Sequence, residues 1–130
     1  ERVKVAHQII EAAVRSGVRS EDVVFDPIVM SVGADDQAGR VTLAAIQRLR
    51  QDFPGHSITG GASNISFGMP ARAMLNASFI AVAAVLGMNV PITDVTRPEL
   101  RFALLAADIF LGQDKRTRRL VRHIRGQKGS

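Results

Sequence analysis

Apolar side chains recur along the chain with two different spacings, which separate predicted helices from predicted strands. Spacings of three and four residues, as between Val5, Ile9 and Ala13, are typical of amphipathic helices. Short runs rich in β-branched residues predict buried strands. The pattern predicts helices over residues 4–16, 41–53, 71–86, 97–111 and 114–125, and strands over residues 23–30, 56–64 and 88–93. We expect residues 34–39 and 64–70 to be loops and residues 126–130 to fray.

Glycine and proline support these boundaries. Gly17, Gly87 and Gly112 each follow a predicted helix, where glycine readily adopts the left-handed conformation that ends it. Pro98 stands near the start of the fourth helix, a position that tolerates its missing N–H. Pro27 falls inside the first predicted strand, so we expect that strand to end or to be distorted near it.

The order of elements is helix, strand, helix, strand, helix, strand, helix, helix. Strands that alternate with helices predict an α/β fold with parallel strands joined by crossover helices. Three strands are few for a complete sheet, and the first helix has no strand before it. The chain also begins with Glu1 instead of Met. We therefore expect a processed or truncated product that forms part of a larger domain.

Length and composition narrow the possible classes of protein. The 130 residues suffice for one domain, and 46% hydrophobic with 22% charged residues indicates a folded chain. Cysteine is absent, which excludes a disulfide scaffold, a thiolate metal site and a cysteine nucleophile. No apolar run reaches the roughly 18 residues that a membrane span needs. We expect a cytoplasmic protein with no membrane partner.

The net charge of +5 is concentrated near the C-terminus. Residues 114–128 contain seven of the 17 Lys and Arg residues and one acidic residue, whereas the remainder is nearly balanced. A nucleic-acid interface usually needs a basic surface over the domain itself, so we predict no nucleic-acid partner. We expect residues 1–130 to form a single partial domain, in which residues 114–130 are a basic helix and a frayed tail.

Most common catalytic motifs are missing. The segment GGASN at residues 60–64 fits neither a P-loop nor a dinucleotide-binding fingerprint. It is not a nucleophile elbow either, because Ile65 stands where that motif needs glycine. His7, His56 and His123 fall on separate predicted elements, so we predict that this chain binds no metal.

Polar side chains stand at the ends of all three predicted strands. Asp26 ends the first strand, Ser63 and Asn64 end the second, and Thr93 and Asp94 end the third. In parallel α/β folds, ligands bind at the edge where the carboxyl ends of the strands meet. The alternative is that Asp26 and Asp94 cap the loops that follow and that Asn64 occupies a left-handed turn.

One long segment resembles a known family. Residues 60–79 read GGASNISFGMPARAMLNASF. This resembles the signature G-x-S-N-[VI]-S-F-G-x-P-x-R-x-x-x-N-x-x-F of the methyltetrahydrofolate:corrinoid methyltransferases, which belong to the pterin-binding TIM-barrel group. FDPIV at residues 25–29, GMNVPI at 87–92 and IFLGQD at 109–114 are similar to further segments of that family. The resemblance covers residues 12–125 and implies the C-terminal half of a (β/α)₈ barrel, with barrel strands six to eight.

The resemblance also implies a reaction and the residues that support it. The N5 methyl group of methyltetrahydrofolate would pass to a Co(I) corrinoid that a partner protein or domain carries. Asn64 matches the family's asparagine at N5 and would be the catalytic residue. Asp26 matches the carboxylate that holds the aminopyrimidine edge of the pterin. Gly61 and Ser63 match further pterin contacts, and Ile92 matches an apolar wall of the pocket.

Four more residues would support the site: Phe67, Arg72, Asn76 and Asp94. Arg72 and Asn76 lie one helical turn apart, and we interpret them mainly as a polar clasp that stabilises the preceding loop. Phe67 would either anchor that loop or stack on the ligand. Asn89 replaces the aspartate that is usual in the family, which leaves the path of the third strand open.

Two other functions remain open. One is a non-catalytic half-barrel module that binds a partner or itself; a half barrel leaves apolar edges open, so we expect a homo-oligomer or pairing with the missing N-terminal half. The other is a transferase similar to dihydropteroate synthase, although no Lys or Arg-His pair stands at the third strand end.

The basic helix is either a solvated face or a dock for an acidic corrinoid protein, through Arg118, Arg119 and Arg122.

Overall fold

The computed structural model describes residues 1–127. The helices are α1 (Arg2–Arg15), α2 (Ala38–Asp52), α3 (Arg72–Leu86), α4 (Pro98–Phe110) and α5 (Arg118–Gln127), and the strands are β1 (Val24–Phe25), β2 (Ser57–Gly61) and β3 (Val90–Ile92). Single 3₁₀ turns cover Ser20–Asp22, Ala62–Ser66 and Lys115–Thr117. The predicted order of helices and strands is confirmed. The predicted fraying of residues 128–130 lies outside the described residues.

The three strands form one parallel sheet in the order β1-β2-β3, so β2 is central. Val24 of β1 lies beside Ser57, and Gly61 at the end of β2 lies beside Ile92. Each strand is connected to the next through a helix, which confirms the predicted parallel α/β arrangement. Within residues 1–127, none of the helices has the length and apolar content to cross a membrane.

The first strand is much shorter than predicted. It ends at Phe25, although the apolar run continues to residue 30. Pro27 has no N–H for the ladder, and the Ile28 N–H donates to Asp26 Oδ1 at 2.8 Å instead of to a neighbouring strand. Ile28 also has a positive φ of 63°, which turns the chain out of the sheet. The expected end of the strand near Pro27 is therefore confirmed, whereas the predicted strand over residues 23–30 is wrong beyond Phe25.

The other two strands are also shorter than predicted. β2 ends at Gly61, where the chain enters the 3₁₀ turn Ala62–Ser66, so the prediction of strand to residue 64 is wrong. β3 starts at Val90 because Asn89 uses its side chain for the pairing. Asn89 Oδ1 accepts the Ile58 N–H at 2.8 Å, and its own N–H donates to the Ile58 carbonyl at 3.2 Å. Asn89 therefore takes part in the pairing of the third strand with β2.

The last helix begins at Arg118 and not at residue 114. Arg116 and Thr117 have positive φ values of 57° and 54°, which interrupt the predicted helix. The Asp114 carboxylate accepts the backbone N–H groups of Arg119 and Leu120, at 3.0–3.1 Å, and so caps α5. α2 begins at Ala38, three residues earlier than predicted, and shortens the predicted loop over residues 34–39.

One face of the sheet is covered and the other is open. Phe25 and Ile58 are buried with Ile46 and Leu49 of α2 and Ile80 of α3, and these side chains form the core. The opposite face carries exposed apolar side chains: Val24 at 53%, Val90 at 46% and Ile92 at 65% exposure. In a closed barrel, that open face would line the interior.

Candidate functional site

Three of the predicted site residues, Asp26, Gly61 and Ile92, lie at the carboxyl edge of the sheet. Gly61 lies beside Ile92 in the register, so β2 and β3 end next to each other. Asp26 directly follows β1, and its Oδ1 would lie 3.7 Å from a Cβ placed on Gly60. The structure therefore places Asp26, which the strand pattern singled out, at one edge with Gly61 and Ile92, which the family resemblance singled out.

Asn64 lies in the 3₁₀ turn Ala62–Ser66, which we call the Asn64 turn, and its amide packs against Gly61. A Cβ on Gly61 would lie 2.9 Å from Asn64 Nδ2, closer than real Cβ atoms come to other atoms. Within residues 1–127, the exposed Asn64 amide has no hydrogen-bond partner. Both its NH₂ group and its oxygen are therefore able to bind a ligand.

Asp26 caps the loop that follows it with one carboxylate oxygen and leaves the other oxygen exposed. Its Oδ1 accepts the Ile28 N–H at 2.8 Å, so the carboxylate does cap the loop that follows. The side chain is nevertheless exposed, and Oδ2 has no partner in the described part of the chain. The positive φ of Ile28 costs about 1–2 kcal/mol for a residue with a Cβ. This strained turn holds the carboxylate at the sheet edge.

The loop after β1 fastens the Asn64 turn. The Val32 N–H donates to the Ile65 carbonyl at 2.9 Å, and Ser31 Oγ donates to the Phe67 carbonyl at 2.6 Å. Sequence reasoning missed Ser31 and Val32, because these contacts join residues more than 30 positions apart. The Phe67 ring is 71% exposed, so Phe67 anchors the loop through its main chain and leaves its ring accessible.

Arg72 forms the predicted polar clasp. Its Nε donates to Ser66 Oγ at 3.2 Å, its Nη2 donates to the Ser63 carbonyl at 3.2 Å, and its guanidinium carbon lies 6.0 Å from the centroid of the Phe67 ring. Asn76 takes no part in this clasp. It is only 7% exposed, and its Oδ1 has no hydrogen-bond partner among the described residues.

A polar cavity of about 260 Å³ lies beside the Asn64 turn. Four of the predicted residues contribute to its lining: Ser63, Arg72, Asn76 and Asp94. The structure therefore divides the predicted site into two groups. One group surrounds the Asn64 amide at the open sheet edge, and the other surrounds this cavity between the Asn64 turn, α3 and the start of α4. The cavity also includes Arg97, which sequence reasoning did not single out.

Asp94 is directed onto its own loop. Its Oδ1 accepts the Thr96 N–H at 3.0 Å and the Thr96 hydroxyl at 2.6 Å, and Arg97 Nε lies 3.5 Å from Oδ2. These contacts, the Thr96 hydroxyl first, lower the pKa of Asp94 below its ordinary 3.8. The geometry matches the capping alternative, and Asp94 is a carboxylate at neutral pH.

The described part of the chain brings no set of metal ligands together. Among residues 1–127, no group of three or more His, Cys, Asp or Glu side chains could hold a metal ion. His7 Nε2 lies 3.0 Å from Asp52 Oδ2, and His56 Nε2 lies 2.9 Å from Ser20 Oγ. Both rings also pack against Phe53, with centroid distances of 4.6 Å for His7 and 5.5 Å for His56.

The basic helix α5 is partly engaged with the rest of the chain. Arg119 Nη2 lies 2.9 Å from Asp108 Oδ2 of α4, so this arginine is ion-paired. Arg118 and Arg122 are exposed and line a shallow depression at the surface of α5. Docking of a corrinoid protein through α5 stays a hypothesis, with Arg118 and Arg122 as its available cations.

Comparison with known proteins supplies the family. Residues 1–94 match the sequence model of the family described as pterin binding enzyme. Over 127 residues, the chain is 30% identical to the methylcorrinoid:tetrahydrofolate methyltransferase of Eubacterium limosum. The match covers 98% of this chain and 47% of that protein, so the chain spans about half the length of the curated relative. The chain belongs to the pterin-binding enzymes, and its three parallel strands with their helices are part of a TIM barrel.

Proposed function

We propose that this chain carries the pterin-binding edge of a methyltransferase that acts between N5 of a tetrahydrofolate and a corrinoid. One observation supports it above the others: the unpaired Asn64 amide packs on Gly61 at the carboxyl edge of the sheet. That edge is where ligands bind in parallel α/β folds. The match to the pterin-binding enzymes supports a pterin as the ligand.

Asp26 and Ile92 would hold the pterin on either side of Asn64. The aminopyrimidine edge of a pterin presents adjacent N–H donors, which suit a carboxylate with two acceptor oxygens. Asp26 offers Oδ2 and the remaining lone pair of Oδ1 for this contact. Ile92, beside Gly61 in the register, offers an exposed apolar surface to the flat ring.

Asn64 would act on N5 itself. N5 is a poor leaving group unless it gains a proton or a strong hydrogen bond as the bond to the methyl carbon breaks. The NH₂ group of Asn64 can donate that hydrogen bond, and the bond strengthens as the electron pair collects on N5. The amide stays neutral, so the proton that N5 finally takes comes from solvent.

The same residues would serve both directions of transfer. The relative's printed name describes a methylcorrinoid as the donor and tetrahydrofolate as the acceptor, whereas the sequence motif led us to expect methyltetrahydrofolate as the donor. In the first direction the Asn64 oxygen would accept a hydrogen bond from N5–H and orient the nitrogen lone pair. We propose that a partner protein or domain carries the corrinoid. The corrinoid would supply the electron pair of the bond to the methyl carbon in one direction and keep that pair in the other.

We also propose that the open sheet face is covered in the functional protein, by the other half of the barrel or by a second copy of this chain. The exposed Val24, Val90 and Ile92 support this, because such side chains line the interior of a closed barrel. If the chain binds no ligand either with the other half of the barrel or as a dimer, the non-catalytic binding module becomes the better proposal for its function.

Calorimetric titration with methyltetrahydrofolate tests the pterin site. We expect saturable binding that Asp26→Asn weakens about tenfold or more, since a charged hydrogen bond is lost, and that Asn64→Ala also weakens. Asp22→Asn is the matched control, because Asp22 is exposed and precedes β1 at the opposite edge of the sheet. A folded chain that binds nothing at millimolar ligand would show that this half lacks a working pterin site.

A further inference from the structure

We propose that Arg72 is a positioning residue that orients the Asn64 amide by binding the Ser63 carbonyl before it and the Ser66 hydroxyl after it. The inference rests on the proposed role of Asn64 at N5. Arg72 is the first residue of α3, and its side chain reaches back over the Asn64 turn. It would act through that turn without touching the pterin.

Arg72, Ser66 and the Ser63 carbonyl form a closed triangle of polar contacts. Arg72 Nε donates to Ser66 Oγ at 3.2 Å, Arg72 Nη2 donates to the Ser63 carbonyl at 3.2 Å, and Ser66 Oγ lies 3.4 Å from that carbonyl. Ser66 is completely buried, with 0% exposure, so one corner of the triangle is immobilised by the core. The arginine thus connects the start of α3 to a rigid point.

This triangle acts on Asn64 because of peptide geometry. The Ser63 carbonyl belongs to the planar peptide group whose nitrogen is that of Asn64, so fixing the oxygen fixes the direction from which the Asn64 side chain leaves. The amide has no hydrogen bond of its own among residues 1–127. Its orientation therefore depends on the backbone that Arg72 holds and on the contact with Gly61.

The position of Arg72 is otherwise unfavourable. A cation in the first turn of a helix opposes the helix dipole, and the first turn of α3 contains no acidic residue that would offset it. Ala71, which precedes the helix, has a positive φ of 52°. The clasp explains an arginine at this position, because the planar guanidinium holds Nε and Nη2 in a fixed geometry that suits the two acceptors.

The competing interpretation is direct contact between Arg72 and a ligand. The side chain also lines the 260 Å³ cavity, together with Arg97, so an anionic group of a ligand could reach it. The two interpretations differ in what happens when Asn64 is absent. A positioning residue then has nothing left to orient, whereas a ligand contact keeps its full effect.

The first measurement uses the chain without ligand. In the ¹⁵N-labelled protein, we expect Arg72→Lys to shift the side-chain NH₂ resonances of Asn64 and to increase their mobility, with the fold retained. Arg97→Lys is the matched control, because it lines the same cavity without contacting the Asn64 turn. Ser66→Ala, which removes another corner of the triangle, is the second variant should Arg72→Lys not fold. Unchanged Asn64 resonances in the folded variants would overturn the proposal.

The second measurement is a double-mutant cycle on methyltetrahydrofolate binding. We expect Arg72→Lys to raise Kd about tenfold in the parent chain and to have no further effect in the Asn64→Ala chain. An equal loss in both backgrounds would overturn the positioning role in favour of direct ligand contact. If the parent chain binds no methyltetrahydrofolate, the proposed function fails, and the Asn64 resonances still decide the role of Arg72.

Discussion

At the scale of single residues, the candidate site depends on Gly61, because this residue has no side chain. Gly61 has an ordinary φ of −70°, so the backbone does not require glycine there. Glycine is needed at this position because a larger residue would not fit: a Cβ would lie 2.9 Å from Asn64 Nδ2. Gly61 and Asn64 therefore act as a pair, in which the first determines where the amide of the second can lie.

We predict that Gly61→Ala impairs ligand binding and hardly changes stability. The added methyl group would displace the end of an exposed side chain, which costs the fold little but moves the amide from its place. Kd for methyltetrahydrofolate should rise about tenfold, the value of one hydrogen bond in a good position, while Tm stays within a few degrees of the parent value.

Gly55→Ala is the matched control for this variant. A Cβ on Gly55 meets no atom within 4 Å, and its backbone φ is not positive. A Gly61→Ala protein that binds as tightly as Gly55→Ala would contradict the coupling between Gly61 and Asn64.

At the scale of elements, Arg50 of α2 joins three segments at the edge of the sheet opposite to the site. Its guanidinium donates to the carbonyls of Pro54 at 2.7 Å, His56 at 2.9 Å and Gly87 at 2.7 Å. Gly87 ends α3 with a φ of 126°, and a Cβ there would lie 2.6 Å from the Arg50 Cβ. Arg50 therefore connects α2, the start of β2 and the end of α3.

We predict that Arg50→Met lowers the free energy of unfolding by about 2–3 kcal/mol, since several hydrogen bonds from a charged donor are lost at once. Urea denaturation measures this directly. Arg48→Met is the matched control on the same helix, because Arg48 is exposed and forms a surface ion pair with Asp52, worth about 1 kcal/mol or less. Equal losses in the two variants would contradict the bridging role.

The attachment of α5 should depend on pH. The Asp114 carboxylate caps this helix, and the N–H of Arg119, followed by that of Leu120, lowers its pKa below 3.8 in the folded chain. A depressed pKa contributes stability that is complete above the unfolded value of 3.8 and is lost as the pH falls through the lower folded value. We predict that α5 detaches in that acidic range.

Amide resonances of α5, followed from neutral pH downwards, measure this detachment. Asp114→Ala should free α5 already at neutral pH and abolish the pH dependence of its resonances. An acid transition of α5 that is the same in both proteins would contradict the assignment to Asp114.

At the scale of the whole molecule, the sheet is covered on one face only. Parallel sheets usually have both faces covered, because their connecting helices pack on them. Here α2 and α3 cover the face of Ile58, whereas Val24 and Val90 on the other face remain exposed. The open face is also continuous with the candidate site, since Gly61 and Ile92 lie at the carboxyl edge of the sheet.

We predict that the chain by itself self-associates at micromolar concentration through this face. The double variant Val24→Lys, Val90→Lys should shift sedimentation toward the monomer, because charges oppose the burial of that face. Val82→Lys is the matched control, since Val82 is similarly exposed but lies on helix α3. A monodisperse monomer of the parent chain, with no binding of an apolar dye, would contradict this prediction.

The order and type of the elements follow from the sequence alone. Apolar spacing is a local property, and it predicted each helix and strand in the right order. The position of Asp26 at a strand end is also local, and in a parallel sheet such residues meet at one edge. The segment around Asn64 was sufficient to indicate the family, which the comparison confirms.

Only the tertiary structure decided what these residues contact. Strand β3 starts at Val90 because the Asn89 side chain pairs with Ile58, 31 residues away in the sequence, which the apolar run does not reveal. The Asn64 turn is held by Ser31, from a loop more than 30 residues away. Such contacts depend on how the segments pack together, whereas periodicity reports only which side chains each segment buries.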